Sequence, residues 1–336
     1  MANNYFVIDI GEKFTKVVDG SLNNNLIEVN AIGKSETLEL FYSSETEKNI
    51  QDQAEIIKKL IISAKIFTKN VNVIIPTNST YSQILTMPNL NEKELISAIK
   101  YQADQFIPMP IEETNIDIEI IEEYKKENKL LILILAAPKK IVEKVQATVE
   151  MAGLVPQFIE NELSASARFI SLFGKNYAQD DSGIVTVNFG LNNASLSYFS
   201  TPNYSLKEVY HFPIGYLLFL KEVRVNANTE EKKSQEIISQ FDPKSDNSYP
   251  IETIITPLLK EMAQEIKRFL VNKKVTNLYL YNQIFLFPGL VNLLSQHLQM
   301  NLLPLNPYDC LKKNTLIDSL KNELIIYLST LGGNLR

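Results

Sequence analysis

Residues Phe6–Val18 read FVIDIGEKFTKVV, and this stretch decides the fold. The apolar run Tyr5–Ile10 stops at Gly11, and apolar residues resume at Phe14–Val18 after a short polar turn. Two apolar runs separated by a glycine-containing turn predict a β-hairpin. The chain is therefore expected to open with strand, glycine turn and strand.

The same pattern returns half a chain later. Residues 184–199 read IVTVNFGLNNASLSYF, which again predicts strand, turn and strand. Asp9 and Asn188 are separated by the same spacing as Gly11 and Gly190. An internal repeat of this kind predicts two like-folded halves that face one another across a cleft.

A pair of such hairpins is typical of phosphate binding. Gly11 and Gly190 allow close approach of the backbone, and turn N–H groups can point at phosphate oxygens. Asp9, at the end of its strand, is the candidate group to order a hydrated magnesium ion. The alternative is two ordinary hairpins, because turns rich in glycine and asparagine are common.

Composition narrows the function further. With 336 residues, 45% of them hydrophobic, the chain is long enough for two domains, and its net charge of −6 offers no basic face for nucleic acid. Two histidines, His211 and His297, and the single Cys310 cannot assemble a zinc site without carboxylates. The longest apolar run, Leu130–Ala137, is far short of the roughly 20 residues that span a bilayer. The sequence favours a cytoplasmic protein that reaches the membrane only through a partner.

A separate block of about residues 77–157 interrupts the first half. Its pattern predicts strand, helix, strand, strand and helix, with Asn91 and Glu94 as a capping pair for the first helix. Glu160–Phe173 predicts a further helix.

These residues resemble the actin-like ATPase superfamily and, within it, the PilM family of type IV pilus assembly proteins. The matching segments are FVIDIG with TKVV near the start, MPNL with FIPMPI in the inserted block, Glu265, Ile266 and Arg268 on a helix, NPY at residues 306–308, and LGGNLR at residues 331–336. The spaced prolines of Phe106–Ile111 are the most specific of these matches.

The resemblance implies an α/β, actin-like (ribonuclease H-like) fold of two domains with an inserted FtsA/PilM-type subdomain. Residues 1–182 would form domain 1, with the inserted subdomain at about 77–157. Residues 183–320 would form domain 2, with a small subdomain at about 216–256. Residues 321–336 would form a C-terminal helix that packs back on domain 1.

The resemblance also implies bound ATP with Mg. The residues at matching positions are Asp9, Gly11, Thr15, Lys16, Asn188, Gly190, Glu265 and Arg268, with Asp9 holding Mg through water. The chain departs from the family pattern in three segments: Glu12-Lys13-Phe14 stands in the first loop, Asn188 replaces an aspartate, and Phe285 and Phe287 stand in the adenosine loop. All three departures predict ATP binding that is weak or lost, and no residue stands out as a hydrolytic base.

The partner implied by the resemblance is the amino-terminal cytoplasmic peptide of a PilN-like membrane protein, within an inner-membrane pilus assembly complex. Leu85, Met87, Ile107 and Met109 are the candidates for lining its groove, and core positions in the inserted block are the alternative for each. The protein would lie at the inner face of the cytoplasmic membrane. The other readings are an FtsA-like cell-division protein, a type II secretion scaffold, and an active ATPase or sugar kinase of the same fold. An FtsA-like protein would ordinarily add a C-terminal membrane helix, which the segment up to Arg336 does not contain.

Overall fold

The structure is a computed structural model that describes residues 4–102, 107–178, 182–245 and 248–336. The chain divides into two compact units. Unit 1 comprises Met1–Phe169, Cys310–Lys313 and Ser329–Arg336, and unit 2 comprises Ile170–Asp309 and Asn314–Leu328.

The strands and helices follow in chain order. The strands are β1 (Phe6–Ile10), β2 (Phe14–Asn23), β3 (Leu26–Glu36), β4 (Asn70–Ile75), β5 (Tyr81–Pro88), β6 (Thr114–Tyr124), β7 (Lys129–Pro138), β8 (Val155–Asn161), β9 (Gly183–Phe189), β10 (Ala194–Ser200), β11 (Ser205–Phe212), β12 (Val275–Asn282) and β13 (Asn301–Pro304). The helices are α1 (Glu47–Ala64), α2 (Glu92–Gln102), α3 (Lys139–Met151), α4 (Glu162–Phe173), α5 (Tyr216–Asn226), α6 (Glu231–Gln240), α7 (Ile251–Leu270), α8 (Gly289–Leu298), α9 (Thr315–Ser319) and α10 (Leu328–Gly333).

The main sheet of unit 1 has the strand order β3-β2-β1-β4-β8. β1 and β2 form the predicted antiparallel hairpin, while β4 pairs in parallel with β1 and with β8. Every residue of β1 is buried, as expected for a strand covered on both faces. One face packs against α1 and α3 through residues such as Ile8, Ile57 and Val145.

The other face of this sheet packs against α4 and the C-terminal segment, and glycines allow that contact. A Cβ atom on Gly332 would lie 1.9 Å from the Ala165 carbonyl oxygen, and one on Gly333 would lie 2.8 Å from Val7. Asn334 then accepts a hydrogen bond from the Gly20 amide at 3.1 Å. The LGGN sequence therefore has a packing role within unit 1.

The inserted block forms its own sheet, with the order β5-β7-β6, and a core shared with α2. The predicted capping pair is confirmed, because the Glu94 amide donates to Asn91 Oδ1 at 3.1 Å and the Asn91 amide donates to Glu94 Oε2 at 3.0 Å. Phe106, part of the sequence match in this block, lies outside the described residues. In the described part of the chain, β6 pairs with β7 alone and is an edge strand.

Unit 2 repeats the sheet of unit 1. Its strand order is β11-β10-β9-β12-β13, with an antiparallel run β9-β10-β11 followed by the parallel strands β12 and β13. Asn188 occupies in β9 the place that Asp9 occupies in β1. The repeat detected in the sequence therefore corresponds to a repeated sheet.

The start of one helix differs from the sequence analysis. Glu160 lies in β8 and not in the predicted helix, which begins at Glu162, because Glu160 pairs with Ile74 of the adjacent β4; Asn72 also donates to Glu160 Oε1 at 2.6 Å. Unit 2 begins at Ile170, within α4, and Ser171 Oγ donates to the Tyr204 carbonyl at 3.0 Å. The predicted domain limits stay a prediction.

Among the described residues, no helix is both long enough and apolar enough to cross a bilayer.

Candidate functional site

The turn between β1 and β2 is closed by its own backbone. The Gly11 amide donates to the Phe14 carbonyl oxygen at 3.1 Å. A Cβ atom on residue 11 would lie 2.8 Å from that same oxygen, a distance that real side chains do not adopt. Glycine is therefore required by the turn itself, whatever the turn binds.

Asp9 and Lys16 face each other across the hairpin and form a buried ion pair. Lys16 Nζ lies 2.8 Å from Asp9 Oδ2, and Ser329 Oγ donates to the same oxygen at 2.5 Å. Asp9 Oδ1 is buried without a hydrogen-bond partner among the described residues. The two predicted nucleotide-binding residues thus neutralise each other inside unit 1.

Thr15 lies in a buried hydroxyl network. Gln53 Nε2 donates to Thr15 Oγ1 at 2.8 Å, and the Thr15 and Thr37 hydroxyls are 2.9 Å apart. Thr37 Oγ1 in turn donates to the Gly11 carbonyl at 2.7 Å. The Thr15 hydroxyl is therefore linked to the turn by hydrogen bonds through Thr37.

Carboxylates surround the Tyr42 hydroxyl at the carboxyl end of this sheet. Tyr42 donates to the Ile10 carbonyl, and burial raises its pKa well above the ordinary value, with Asp9, Glu12 and Glu162 adding to the effect. Glu162 is itself buried and accepts from the Thr77 amide at 3.2 Å. Sequence reasoning missed Glu162, although an acid at a strand end was the signal already used for Asp9.

This arrangement does not fit magnesium well. The Asp9 charge is balanced by the Lys16 ammonium group, and Glu12 accepts a hydrogen bond from Asn78 at 2.8 Å. In the described part of the chain, no group of three or more His, Cys, Asp or Glu side chains is placed to hold a metal ion. A hydrated Mg²⁺ would have to share Asp9 with the Lys16 ammonium group, and the two cations would repel each other.

The corresponding turn of unit 2 is closed in the same way but is neutral. The Gly190 amide donates to the Asn193 carbonyl at 2.9 Å, and a Cβ atom on residue 190 would lie 2.7 Å from that oxygen. Asn188 Oδ1 accepts from Asn282 Nδ2 at 2.9 Å. Asn188 and Gly190 thus shape the turn with amide groups and no charge.

The other predicted nucleotide residues of unit 2 bind each other. Arg268 Nη1 lies 2.6 Å from Glu265 Oε1 on the same face of α7, and Tyr210 donates to Glu265 Oε2 at 2.7 Å. Phe287 is fully buried and packs edge-on against Phe219, with ring centroids 5.8 Å apart. Phe287 therefore belongs to the core of unit 2, the alternative that aromatic residues favour.

A second candidate site is a cavity of about 480 Å³ within unit 1. It is bordered by the edge strands β6 and β8, and by β7, α3, α4 and the C-terminal residue. Its lining residues are Ile75, Thr80, Asn115, Ile116, Asp117, Ile118, Glu119, Leu135, Ala136, Ala137, Val142, Ile159, Glu160, Asn161, Ser164, Arg168 and Arg336.

The charges of this cavity are distributed unevenly. Arg168 and Arg336 both contact Glu160 Oε2, at 2.8 and 3.2 Å, so these cations are partly neutralised. Glu119 accepts from Ser164 Oγ at 2.8 Å, and Asp117 is exposed on the same strand. The β6 wall of the cavity is therefore acidic.

The four residues predicted to line a peptide groove lie elsewhere in the inserted block. Ile107 is buried in its core, and Leu85, Met87 and Met109 pack against that core. Met109 also borders a separate cavity of about 340 Å³, together with Pro138 and Lys139. Their role in partner binding stays a prediction. The period-two pattern of β6 was visible in the sequence, but only the position of α2 shows which face is covered.

Comparisons with known proteins agree on the fold. A family model described as type IV pilus assembly protein PilM matches residues 7–336. A solved structure titled "PilM-PilN type IV pilus biogenesis complex" is 20% identical over 100% of this chain and 99% of that chain, with a TM-score of 0.85. The ethanolamine utilization protein EutJ from Carboxydothermus hydrogenoformans is 12% identical over 98% of this chain and 89% of that chain, with a TM-score of 0.55. The predicted α/β actin-like fold is confirmed.

Proposed function

The chain belongs to the type IV pilus assembly protein PilM family, and on this premise we propose that it is a cytoplasmic scaffold that binds the amino-terminal cytoplasmic peptide of a PilN-like membrane protein. The similar solved structure of a PilM–PilN complex supports a partner of that kind. Attachment to the membrane partner would place the scaffold at the inner face of the cytoplasmic membrane.

The observation that carries the proposal is the pair of edge strands beside one cavity. β6 and β8 end their respective sheets, and both border the cavity of about 480 Å³. An edge strand presents unpaired N–H and C=O groups, so an extended peptide can add to it as a further strand. A groove between two such edges suits a peptide in β conformation.

The lining of the groove selects the side chains of the peptide. Its floor is apolar through Leu135, Ala137 and Ile159, whereas its β6 wall carries Asp117 and Glu119. Because successive residues of a strand point to opposite sides, alternate apolar side chains can enter the floor. A cationic group on the peptide would face the acidic wall.

ATP binding is not central to the proposed function. We infer that ATP binding is weak or lost, because Lys16 neutralises Asp9 and because the amides of both turn glycines already donate to a carbonyl oxygen within the turn. The protein then works by binding and not by turnover. An active ATPase, an FtsA-like division protein and a type II secretion scaffold are the competing functions.

The test is a calorimetric titration of the full chain with a synthetic peptide that carries the amino-terminal segment of the PilN-like protein. Asp117→Arg places a like charge beside a cationic peptide group and is expected to weaken binding by roughly tenfold or more. Glu123→Arg is the matched control, since Glu123 is an exposed acid of the same strand that does not line the cavity. Substitutions at Met87 would disturb the core of the block and are less informative.

Absence of peptide binding to the intact chain, with and without magnesium-ATP, would refute the scaffold proposal. Equal losses in the Asp117→Arg and Glu123→Arg variants would place the peptide outside this groove. A tight magnesium-ATP titration with measurable phosphate release would instead favour the ATPase.

A further inference from the structure

Two neighbouring loops lie at the end of the unit 1 sheet that is opposite to the Asp9 turn. One loop joins α1 to β4 and the other joins α3 to β8. β4 and β8 are parallel neighbours that begin side by side, with Asn70 opposite Val155, and the Val155 amide donates to the Lys69 carbonyl at 2.9 Å. The two loops therefore form one continuous surface, here called the loop edge, comprising residues 62–69 and 151–155.

The loop edge exposes large apolar side chains. Phe67 is 91% exposed and Ile62, in the last turn of α1, is 75% exposed; on either side of the second loop, Val155 of β8 and Met151 of α3 are 50% and 41% exposed. Ile66, between the first two, is buried in the core of unit 1. Because Ile66 anchors the loop, the exposure of Phe67 is imposed by the fold.

The charge of the loop edge is positive in a chain of net charge −6. From Ile56 to Asn91 the sequence contains four lysines and neither aspartate nor glutamate. Of these lysines, Lys58 pairs with Glu55 at 2.6 Å, whereas Lys65 and Lys69 are exposed on either side of Phe67. The nearest acid of the other loop, Glu150, accepts a hydrogen bond from Gln146.

A helix end explains only part of this pattern. Lys65 caps α1 in the left-handed conformation, and a cation is favourable at a helix C-terminus. That accounts for Lys65 but not for two exposed apolar side chains beside it. Exposed apolar side chains beside lysines suit an anionic membrane surface, because the apolar groups can enter the interface while the cations lie against lipid phosphates.

We propose that the loop edge docks on the surface of an anionic phospholipid bilayer. Phe67 and Ile62 enter the boundary between headgroups and acyl chains, while Lys65 and Lys69 lie against lipid phosphates. A contact of this size gives reversible binding, which a partition coefficient measures and which a second attachment would strengthen. A protein occupant is less favoured, because a stable interface takes roughly 20–30 residues on each side and the loop edge offers two short loops.

The test is co-sedimentation of the full chain with vesicles of phosphatidylcholine, with and without phosphatidylglycerol, in the absence of any partner peptide. Phe67→Ser is expected to lower the partition coefficient on anionic vesicles by roughly tenfold. Charge reversal at Lys65 and Lys69 is expected to lower it by roughly fivefold per lysine. Added salt should weaken binding further, because it screens the exposed charges.

Matched controls lie outside the loop edge. Tyr101→Ser removes an aromatic side chain that is 90% exposed on α2, and Lys48→Glu reverses an exposed lysine at the other end of α1. Both variants should bind vesicles like the unmodified protein. All five sites are exposed, so the fold should survive each change, which circular dichroism would verify.

Three results would overturn the proposal. The first is no binding of the unmodified chain to anionic vesicles, and the second is equal binding to vesicles with and without phosphatidylglycerol. The third is a Phe67→Ser variant that binds like the controls. If Phe67→Ser instead abolished self-association in solution while vesicle binding was absent, the loop edge would be a contact between copies of the chain. Because no peptide is present, failure here leaves the proposed peptide groove untouched.

Discussion

The two hairpins of this molecule share their geometry and differ in their chemistry. Each begins with an apolar strand, turns at a glycine and closes through the glycine amide. The residues that face one another across the three adjacent strands are Asp9, Lys16 and Lys34 in unit 1, and Asn188, Ser195 and His211 in unit 2. The first row is charged and the second carries no fixed charge.

This difference distinguishes the residues that the turn geometry requires from the facing residues of the strands, which can vary. Gly11 and Gly190 are required because in both turns a carbonyl oxygen lies too close to the position that a Cβ atom would take, at 2.8 and 2.7 Å. The facing residues have no such geometric constraint, so unit 1 holds a buried ion pair where unit 2 holds neutral groups. A glycine hairpin is therefore evidence for the fold, and the facing pair decides whether phosphate and magnesium can be held.

The largest effect is expected from breaking the ion pair of unit 1. Lys16→Met leaves the buried Asp9 carboxylate with Ser329 as its remaining hydrogen-bond donor. Leaving a buried charge without its partner typically costs about 3–5 kcal/mol of unfolding free energy. Urea unfolding followed by circular dichroism would measure the loss.

A double variant serves as the control for this prediction. Asp9→Asn combined with Lys16→Met removes both charges and should recover most of the lost stability, because no unpaired charge remains. If Lys16→Met alone unfolds like the unmodified protein, the pair is hydrated and the turn can present Asp9 to a ligand after all.

A smaller and equal effect is expected from the two glycines. Gly11→Ala and Gly190→Ala each force a Cβ atom against a carbonyl oxygen that would lie 2.8 or 2.7 Å away. Overpacking of this kind costs about 1–3 kcal/mol, and the same unfolding measurement applies to both variants. Gly153→Ala is not a suitable comparison because residue 153 has a positive φ angle of 83°. Tolerance of alanine at only one of the two turns would show that their closure differs.

Much of the fold could be predicted because its signals are local. The repeated strand–glycine pattern around Gly11 and Gly190 and the capping pair Asn91 and Glu94 depend on residues close in sequence. The Asp9–Lys16 pair could not be predicted in the same way, because pairing register, and not spacing alone, sets which side chains meet across a hairpin.

The groove was the harder prediction for a different reason. Alternation along β6 separates Ile116 and Ile118 from Asp117 and Glu119, but it does not say which face a helix covers. In the structure Ile116 and Ile118 pack against the core of the inserted block, which α2 helps to form, whereas Asp117 and Glu119 are exposed at the cavity. Glu162 was missed because the helix was predicted to begin at Glu160, so the end of β8 was not recognised.

The smallest effect is expected at His211, one of the three facing residues of unit 2 that carry no fixed charge. Burial lowers the pKa of this imidazole, so in the folded chain it stays neutral at a pH where the unfolded chain has begun to take up a proton. Stability is therefore fully present above the unfolded pKa of about 6.5 and is lost as the pH falls below it toward the lower folded value. His211→Gln should flatten this part of the stability profile, as measured by urea unfolding at a series of pH values.

The matched control is Lys34→Gln, which changes the corresponding residue of unit 1 and leaves His211 in place. The control variant should retain the slope of the unmodified protein even if its stability differs at every pH. A slope that persists in His211→Gln would mean that the acid sensitivity arises outside the facing row, and the contrast between a charged and a titratable hairpin would then fail.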